Sequence, residues 1–288
     1  MASTLHGKVV LITGAARGIG AETARQLHAE GARLVLVDVD TEPLEKLAVE
    51  LGDGVVTARA DVRVLSEVRQ AVDAGIEQYG GIDVVVANAG IASYGSVLGV
   101  DPETFARVID VNITGVFHTV RASLPSVIER RGYVLVVSSM AAFGAMPGLA
   151  AYNASKAGVE HFANALRLEV RHLGVDVGCA HMSWVDTPLV RDAREDLSTF
   201  ADAVAHLPPP LNRTATVESC GAAFVKGIAG RKRHVYVPGW VAAVAQAPNL
   251  INSPLGERDA LKQVPDRLPL MDEEVRRLGR STSARNVD

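Results

Sequence analysis

From Lys8 to Val237, short apolar runs alternate with longer amphipathic stretches. The runs are Lys8–Thr13, Arg33–Val37, Val55–Ala60, Asp83–Ala87, Tyr133–Ser138, Val175–Ala180 and His234–Val237, rich in valine. Runs this short and β-branched predict buried strands. Between them lie helical stretches: Ala21–Glu30, stopped by Gly31; Thr41–Leu51, left through Gly52-Asp53-Gly54; and Val64–Tyr79, apolar at 64, 65, 68, 72 and 76. A further helix starts at Asp101-Pro102-Glu103, a cap followed by proline, and runs to about Arg130, with Asn112 predicting a local kink. The next carries Tyr152 and Lys156 through Phe162, Leu166 and Val170 to Gly174, and the last is Thr216–Ala229. Strand–helix alternation of this length predicts an α/β fold: one domain over 1–238, a doubly wound parallel sheet of about seven strands with helices on both faces.

Two stretches break the alternation. Leu189–His206 predicts a polar helix between loops, a mobile substrate lid within 188–212 that ends at Leu207-Pro208-Pro209-Pro210. Residues 239–288 form an extension whose first part, with Trp240–Ala245, Asn249-Leu250-Ile251 and prolines 248, 254, 265 and 269, is apolar and proline-broken. It is expected to pack on the domain or on a partner subunit, with the charged tail from Met271 (272–288) frayed.

Composition narrows the function. The chain of 288 residues carries a net charge of −4, which gives no reason to expect a nucleic-acid partner. Its two cysteines, Cys179 and Cys220, lack metal-ligand spacing, so unpaired thiols and no metal are expected. No apolar run is long enough to span a bilayer and the first residues contain no signal-peptide core, so a cytoplasmic location is expected.

The candidate chemistry gathers at the ends of the runs. Thr13-Gly14-Ala15-Ala16-Arg17-Gly18-Ile19-Gly20 follows a strand and opens a helix, as a dinucleotide loop must. Its glycines admit a pyrophosphate, and the helix N-terminus supplies amides and positive potential. Asp38, 24 residues after Gly14, suits a ribose ligand. A carboxylate there accepts from ribose hydroxyls and repels a 2′-phosphate, which favours NAD over NADP. Arg17 argues mildly the other way. Asp61 suits either an adenine amino group or the N-cap of the next helix. Lys156 lies four residues after Tyr152, on the same helix face. An ammonium there favours the phenolate and lowers the tyrosine pKa from its usual ~10. Ser139, at a strand end, can hold a carbonyl oxygen beside that pair. Gly14, Asp38, Asp61, Asn88 and Ser139 all fall at strand ends, where a doubly wound, Rossmann-like sheet binds its ligands.

In this order and spacing, Thr13-Gly14-x-x-x-Gly18-Ile19-Gly20, Asn88-Ala89-Gly90, Asn112, Ser139 and Tyr152-x-x-x-Lys156 resemble the short-chain dehydrogenase/reductase family over residues 5–238. The resemblance implies hydride transfer between NAD(H) and a secondary alcohol or ketone. Tyr152 would be the general acid/base, and Lys156 would lower its pKa and bind the nicotinamide ribose. Ser139 would hold the substrate oxygen and Asn112 a proton-relay water. Gly14 and Gly20 would line the pyrophosphate, with Arg17, Gly18 and Ile19 in the same loop. Asp61 and Val62 would face the adenine, Asn88, Ala89 and Gly90 the cofactor ribose, and Thr187 and the Val185 backbone the carboxamide. The resemblance also implies a homodimer or homotetramer built on the helices bearing Asn112 and Tyr152.

Met182-Ser183 stands where the family has Pro-Gly. With Met146, Leu149 and Trp184, the apolar surroundings suggest a lipophilic small-molecule substrate held by Ser139, Met146, Tyr152, Ser183 and Trp184. The alternatives are an NADP-dependent ketoreductase and a regulator that binds a dinucleotide without turning over. A sugar-nucleotide epimerase would need a different glycine spacing and a longer C-terminal domain.

Overall fold

The computed structural model describes residues 4–286; Met1–Ser3 and the last two residues of the expected tail, Val287 and Asp288, lie outside them. Seven strands form one parallel sheet: β1 (Val9–Thr13), β2 (Arg33–Asp38), β3 (Val55–Arg59), β4 (Val84–Ala87), β5 (Tyr133–Val137), β6 (Asp176–Met182) and β7 (His234–Val237), in the order β3-β2-β1-β4-β5-β6-β7. The helices are α1 (Gly18–Ala29), α2 (Thr41–Leu51), α3 (Leu65–Tyr79), α4 (Pro102–Ile109), α5 (Gly115–Glu129), α6 (Ala150–Val170), α7 (Pro188–Asp196), α8 (Ser198–Ala205), α9 (Val217–Ala229), α10 (Val241–Ala245), α11 (Pro248–Ile251) and α12 (Pro254–Leu278). Strands β1, β4 and β5 are buried along their whole length because helices cover both faces. Leu34, Leu36 and Leu135 pack with α1 and α9, while Val35, Val85 and Val136 pack with α3, α5 and α6. Each such side chain contributes roughly 1.5–3 kcal/mol on leaving water. The strand order reverses between β1 and β4, which opens a crevice at their carboxyl ends.

Most expected boundaries agree within a few residues, and three regions differ. The expected helix from Asp101 is interrupted by a π-turn at Asp110–Thr114 that contains Asn112, so the kink is one wide turn between α4 and α5. Strand β6 runs on through His181 and Met182, because the amide of Ser183 continues the ladder to Val237 O at 2.8 Å. His181 is also fixed from α6, where Glu160 Oε2 meets its Nε2 at 2.5 Å. Burial opposes ionisation of Glu160, but the His181 contact prevails and holds its carboxyl at about 2.

The third difference is the lid and C-terminus. The segment expected to be the lid is two helices, α7 and α8, whose Ala193, Phe200 and Val204 form a third apolar cluster with Met271 and Val275 of α12. Helix α12 continues through Pro265 and Pro269, and the tail from Met271 is packed down rather than frayed: Met271, Glu274, Val275, Ser281, Thr282 and Ser283 are buried. Glu274 explains much of the docking. Its carboxylate accepts from the Ser198 amide (3.0 Å), the Thr199 amide (3.2 Å) and both hydroxyls at the start of α8. Burial raises its pKa, but these donors outweigh it and hold the carboxyl below the ordinary range. A depressed carboxyl contributes stability above its unfolded pKa of about 4.3, and that stability disappears as pH falls through the folded value. Glu274→Ala is therefore expected to cost about 2–3 kcal/mol at pH 7 by urea denaturation, with the gap closing below about pH 4. An unchanged midpoint at pH 7 would refute this.

Candidate active site

The crevice at the β1/β4 switch is a cleft of about 580 Å³, within the usual size range of cofactor sites. Its floor is the glycine loop. Gly14 adopts φ +66, and a Cβ there would lie 2.8 Å from Ala89 Cα. Gly18 supports Thr187, whose Cγ2 lies 3.4 Å from where a Gly18 Cβ would be. Gly20 does not line the cleft; a Cβ on it would sit 2.1 Å from Gly14 O, so it lets α1 close onto the loop. Asn88 lines the cleft, but its amide donates to Thr13 O (2.9 Å) and Gly14 O (3.0 Å), which ties the end of β4 to the loop. Ala89, Gly90, Ile19 and Val62 also line it.

The adenosine end carries paired charges. Asp38 Oδ2 accepts from Ala16 N at 2.9 Å and Oδ1 from Asp40 N at 3.1 Å. Burial is the larger influence and raises its pKa; the amides counter part of the rise. Arg17 is ion-paired with Asp40. Asp61 faces the cleft but does not cap α3: the cap position is Val64, and Asp61 accepts from the Arg63 amide at 2.8 Å while pairing with its guanidinium. The chain between Asp61 and the helix is too long for a capping bond, so Asp61 makes a local turn instead. Val185 is also outside the lining; it is buried, and its carbonyl accepts from Thr187 N (2.7 Å) and Thr187 Oγ1 (3.3 Å).

At the far end of the cleft, α6 brings Tyr152 and Lys156 to the carboxyl end of β5. Lys156 is buried, donates to Val137 O at 3.0 Å, and lies 5.5 Å from the centre of the Tyr152 ring. Burial lowers the Lys156 pKa to about 8. Burial also raises the Tyr152 pKa, with the Ser139 hydroxyl beside it pulling the other way. The expected lowering of Tyr152 by Lys156 is thus not seen in this state. Both groups are stripped of water, which disfavours phenolate and ammonium alike.

Ser139 accepts from Ala141 N at 3.2 Å and donates to Met182 O at 3.4 Å. Asn112 is fully buried: Oδ1 accepts from Ile91 N, and both amide protons are committed, to Ile91 O and Ser155 Oγ, each at 2.9 Å. Its side chain therefore fastens the β4–α4 loop to α6. A Cβ on Gly90 would lie 3.3 Å from Asn112 Oδ1 and 3.4 Å from Lys156 Nζ, so only a glycine leaves that corner open.

Met146, Tyr152 and Trp184 pack against the third cluster, roofed by Leu268, Met271 and Leu278, and Trp184 meets Phe200 edge-on at 5.5 Å. The hydroxyl of Ser183 and the indole nitrogen of Trp184 are buried without partners among the described residues. Sequence reasoning missed the C-terminal contribution to the cleft: Ser283, Arg285 and Asn286 line it together with Asp192 of α7. Local patterning holds no signal for this, because these residues meet the cleft only through the tertiary path of α12.

Comparison with known proteins agrees with the geometry. The family model described as short chain dehydrogenase matches residues 8–198. An uncharacterized NAD-dependent oxidoreductase of Mycobacterium tuberculosis is 36% identical over 228 residues, 72% of this chain and 82% of the relative. A 3-alpha-(or 20-beta)-hydroxysteroid dehydrogenase of Mycobacterium bovis is 33% identical over 212 residues, 73% of this chain and 81% of the relative. Among solved structures, a short chain dehydrogenase/reductase from Burkholderia phymatum in complex with NAD superposes with a TM-score of 0.76 at 25% identity, covering 87% of this chain and 97% of that one.

Proposed function

Because the chain belongs to the short-chain dehydrogenase family, we propose that it is an NAD-dependent oxidoreductase that interconverts a lipophilic secondary alcohol and its ketone. The observation that carries this reading is the meeting of Tyr152 and Lys156 at one end of a cleft whose other end is the glycine loop and Asp38, with the Ser139 hydroxyl just outside the lining but beside Tyr152. Bound nicotinamide dinucleotide supplies the hydride exchange. Gly14 and Gly18 line the cleft at the start of α1 with positive φ, and with the amides of that helix N-terminus they would seat its pyrophosphate. Asp38 receives the adenosine ribose hydroxyls. Ser139 holds the substrate oxygen, Tyr152 moves its proton, and Lys156 holds the nicotinamide ribose and supports the phenolate once a ligand completes the site. Asn112 keeps the Ile91 backbone and α6 in register around them.

Two observations favour NAD over NADP. The Asp38 carboxylate lines the cleft at the end of β2, where it would repel a 2′-phosphate, and Arg17 is occupied by Asp40. The apolar cluster around Met146, Tyr152 and Trp184 supports a hydrophobic substrate of steroid, retinoid or fatty type, and the hydroxysteroid dehydrogenase relative supports the same class. Exposed Phe117 on α5 and Leu168 on α6 support a dimer or tetramer built on those helices.

Fluorescence titration of the purified protein tests the cofactor. NADH is expected to bind at least about tenfold more tightly than NADPH, and Asp38→Ser is expected to narrow that gap. A preference for NADPH would turn the reading toward an NADP-dependent ketoreductase. Binding of neither would end the dinucleotide reading.

A further inference from the structure

The tail beyond α12 turns back across the mouth of the cleft and joins its two walls. On the β4–α4 side, Tyr94 N donates to Ser281 O (2.7 Å), Asp101 N to Ser281 Oγ (3.0 Å) and Thr282 Oγ1 to Ala92 O (2.7 Å). Arg107 of α4 donates to Asn286 O at 2.6 Å. On the lid side, Arg280 Nη2 reaches Asp196 at 2.5 Å and Ser283 Oγ donates to Asp192 at 2.6 Å. Arg285 donates to both Asp192 oxygens, Nε at 2.8 Å and Nη2 at 3.1 Å. Residues 281–283 are buried in this crossing.

We propose that Arg285, carried on this C-terminal strap, is a ligand for the diphosphate of the bound dinucleotide and closes the cleft opposite the glycine loop. The inference rests on the dinucleotide reading above. Arg285 and Asp192 line the same cleft as Gly14, Arg17 and Gly18. A diphosphate seated on the loop and the N-terminus of α1 brings two negative charges to that place. The other guanidiniums nearby are engaged, Arg17 by Asp40 and Arg63 by Asp61. The Asp192 contact takes Nε and Nη2 of Arg285, so Nη1 has no partner among the described residues. Asp192 alone would repel a diphosphate; Arg285 cancels that charge and presents a guanidinium edge of the kind that binds phosphate in a fork. The charges of the two walls also sense each other: Arg285 is held above its usual value first by Asp192 and, more weakly, by Asp40.

NADH titration by fluorescence and stopped-flow release, on wild type, Arg285→Ala, Asp192→Ala and the double variant, tests this. The Arg285 side chain is half exposed, so its removal leaves the fold intact, and the melting temperature checks that. Arg285→Ala is expected to raise the NADH Kd about tenfold, mostly through faster release, whether or not Asp192 is present. Arg285→Lys should recover part of the affinity, and NADH should protect amides 280–286 from hydrogen exchange. An unchanged Kd overturns the inference. A loss seen only with Asp192 present also overturns it, because then the exposed carboxylate and not the missing guanidinium weakens binding. If wild type itself fails to bind NADH, the functional reading falls first and this inference falls with it.

Discussion

Tyr152→Phe is expected to lower turnover about 10³-fold while leaving the NADH Kd within about twofold of wild type. The substitution removes one oxygen and keeps the ring, so the packing of Tyr152 against the Met146 and Trp184 cluster survives. What it removes is the hydroxyl that the proposed function assigns to exchange a proton with the substrate oxygen. Ser139 is an ordinary hydroxyl, and Lys156 is turned to Val137 O. Burial keeps the Tyr152 proton on at neutral pH, which suits the donor role in ketone reduction. In alcohol oxidation the same group must begin as phenolate, so the oxidation rate of wild type should rise with pH. Tyr152→Phe should lose both the rate and that slope. Retention of more than about a tenth of wild-type turnover would remove Tyr152 from the chemistry, and loss of NADH binding in parallel would mean that the ring is needed for the fold of the site.

The strand ends were legible because buried parallel strands leave a simple trace. Val9–Thr13 and Tyr133–Val137 are covered on both faces, so they appear as unbroken apolar runs, and the residues just after them must line the crevice. Gly14, Asp38, Asp61 and Asn88 line the cleft as that rule expects, while Ser139 falls just outside the lining and Ser138 takes its place. The finer roles of Asn88 and Asn112 did not follow from it, because an amide's partners depend on which backbone groups tertiary packing brings near. Thr13, Gly14 and Ile91 consume donors that sequence reasoning left for ligand or water.

The C-terminal extension packs on the domain as expected, but its course and its tail were misread for an identifiable physical reason. Pro265 and Pro269 each forfeit a helical hydrogen bond and normally end a helix. Here Leu268, Met271, Val275 and Leu278 recur at helical spacing and pack into the third cluster, which supplies the stability that the prolines remove. That stripe was present in the sequence but was outweighed by the prolines and the charges around it. The charges were taken as solvated, yet Asp272 accepts from Ser96 N (2.8 Å) and Ser96 Oγ (2.7 Å), and Arg280 reaches Asp196. Partners this remote along the chain leave no local pattern.

Lys156→Met separates what the site needs from what the fold tolerates. Burial lowers the Lys156 pKa to about 8, against about 10.4 in an unfolded chain. The unfolded state therefore binds the proton more tightly, and below pH 8 the folded state bears the whole penalty of a buried ammonium, roughly 3 kcal/mol at 1.36 kcal/mol per pKa unit. Methionine has nearly the same length and no charge. The loss of the bond to Val137 O offsets about 1 kcal/mol of the gain. The variant is expected to be about 2 kcal/mol more stable than wild type at pH 7 by urea denaturation. The difference should shrink between pH 8 and about 10.4, as wild type sheds the proton and its own stability rises. Turnover should fall at least about 10²-fold, since Tyr152 loses the ammonium that supports its phenolate. NADH should bind several-fold more weakly through the lost ribose contacts. A variant less stable than wild type at pH 7 would show that the ammonium is better solvated by its surroundings than its burial implies. Full turnover in that variant would remove Lys156 from the support of Tyr152.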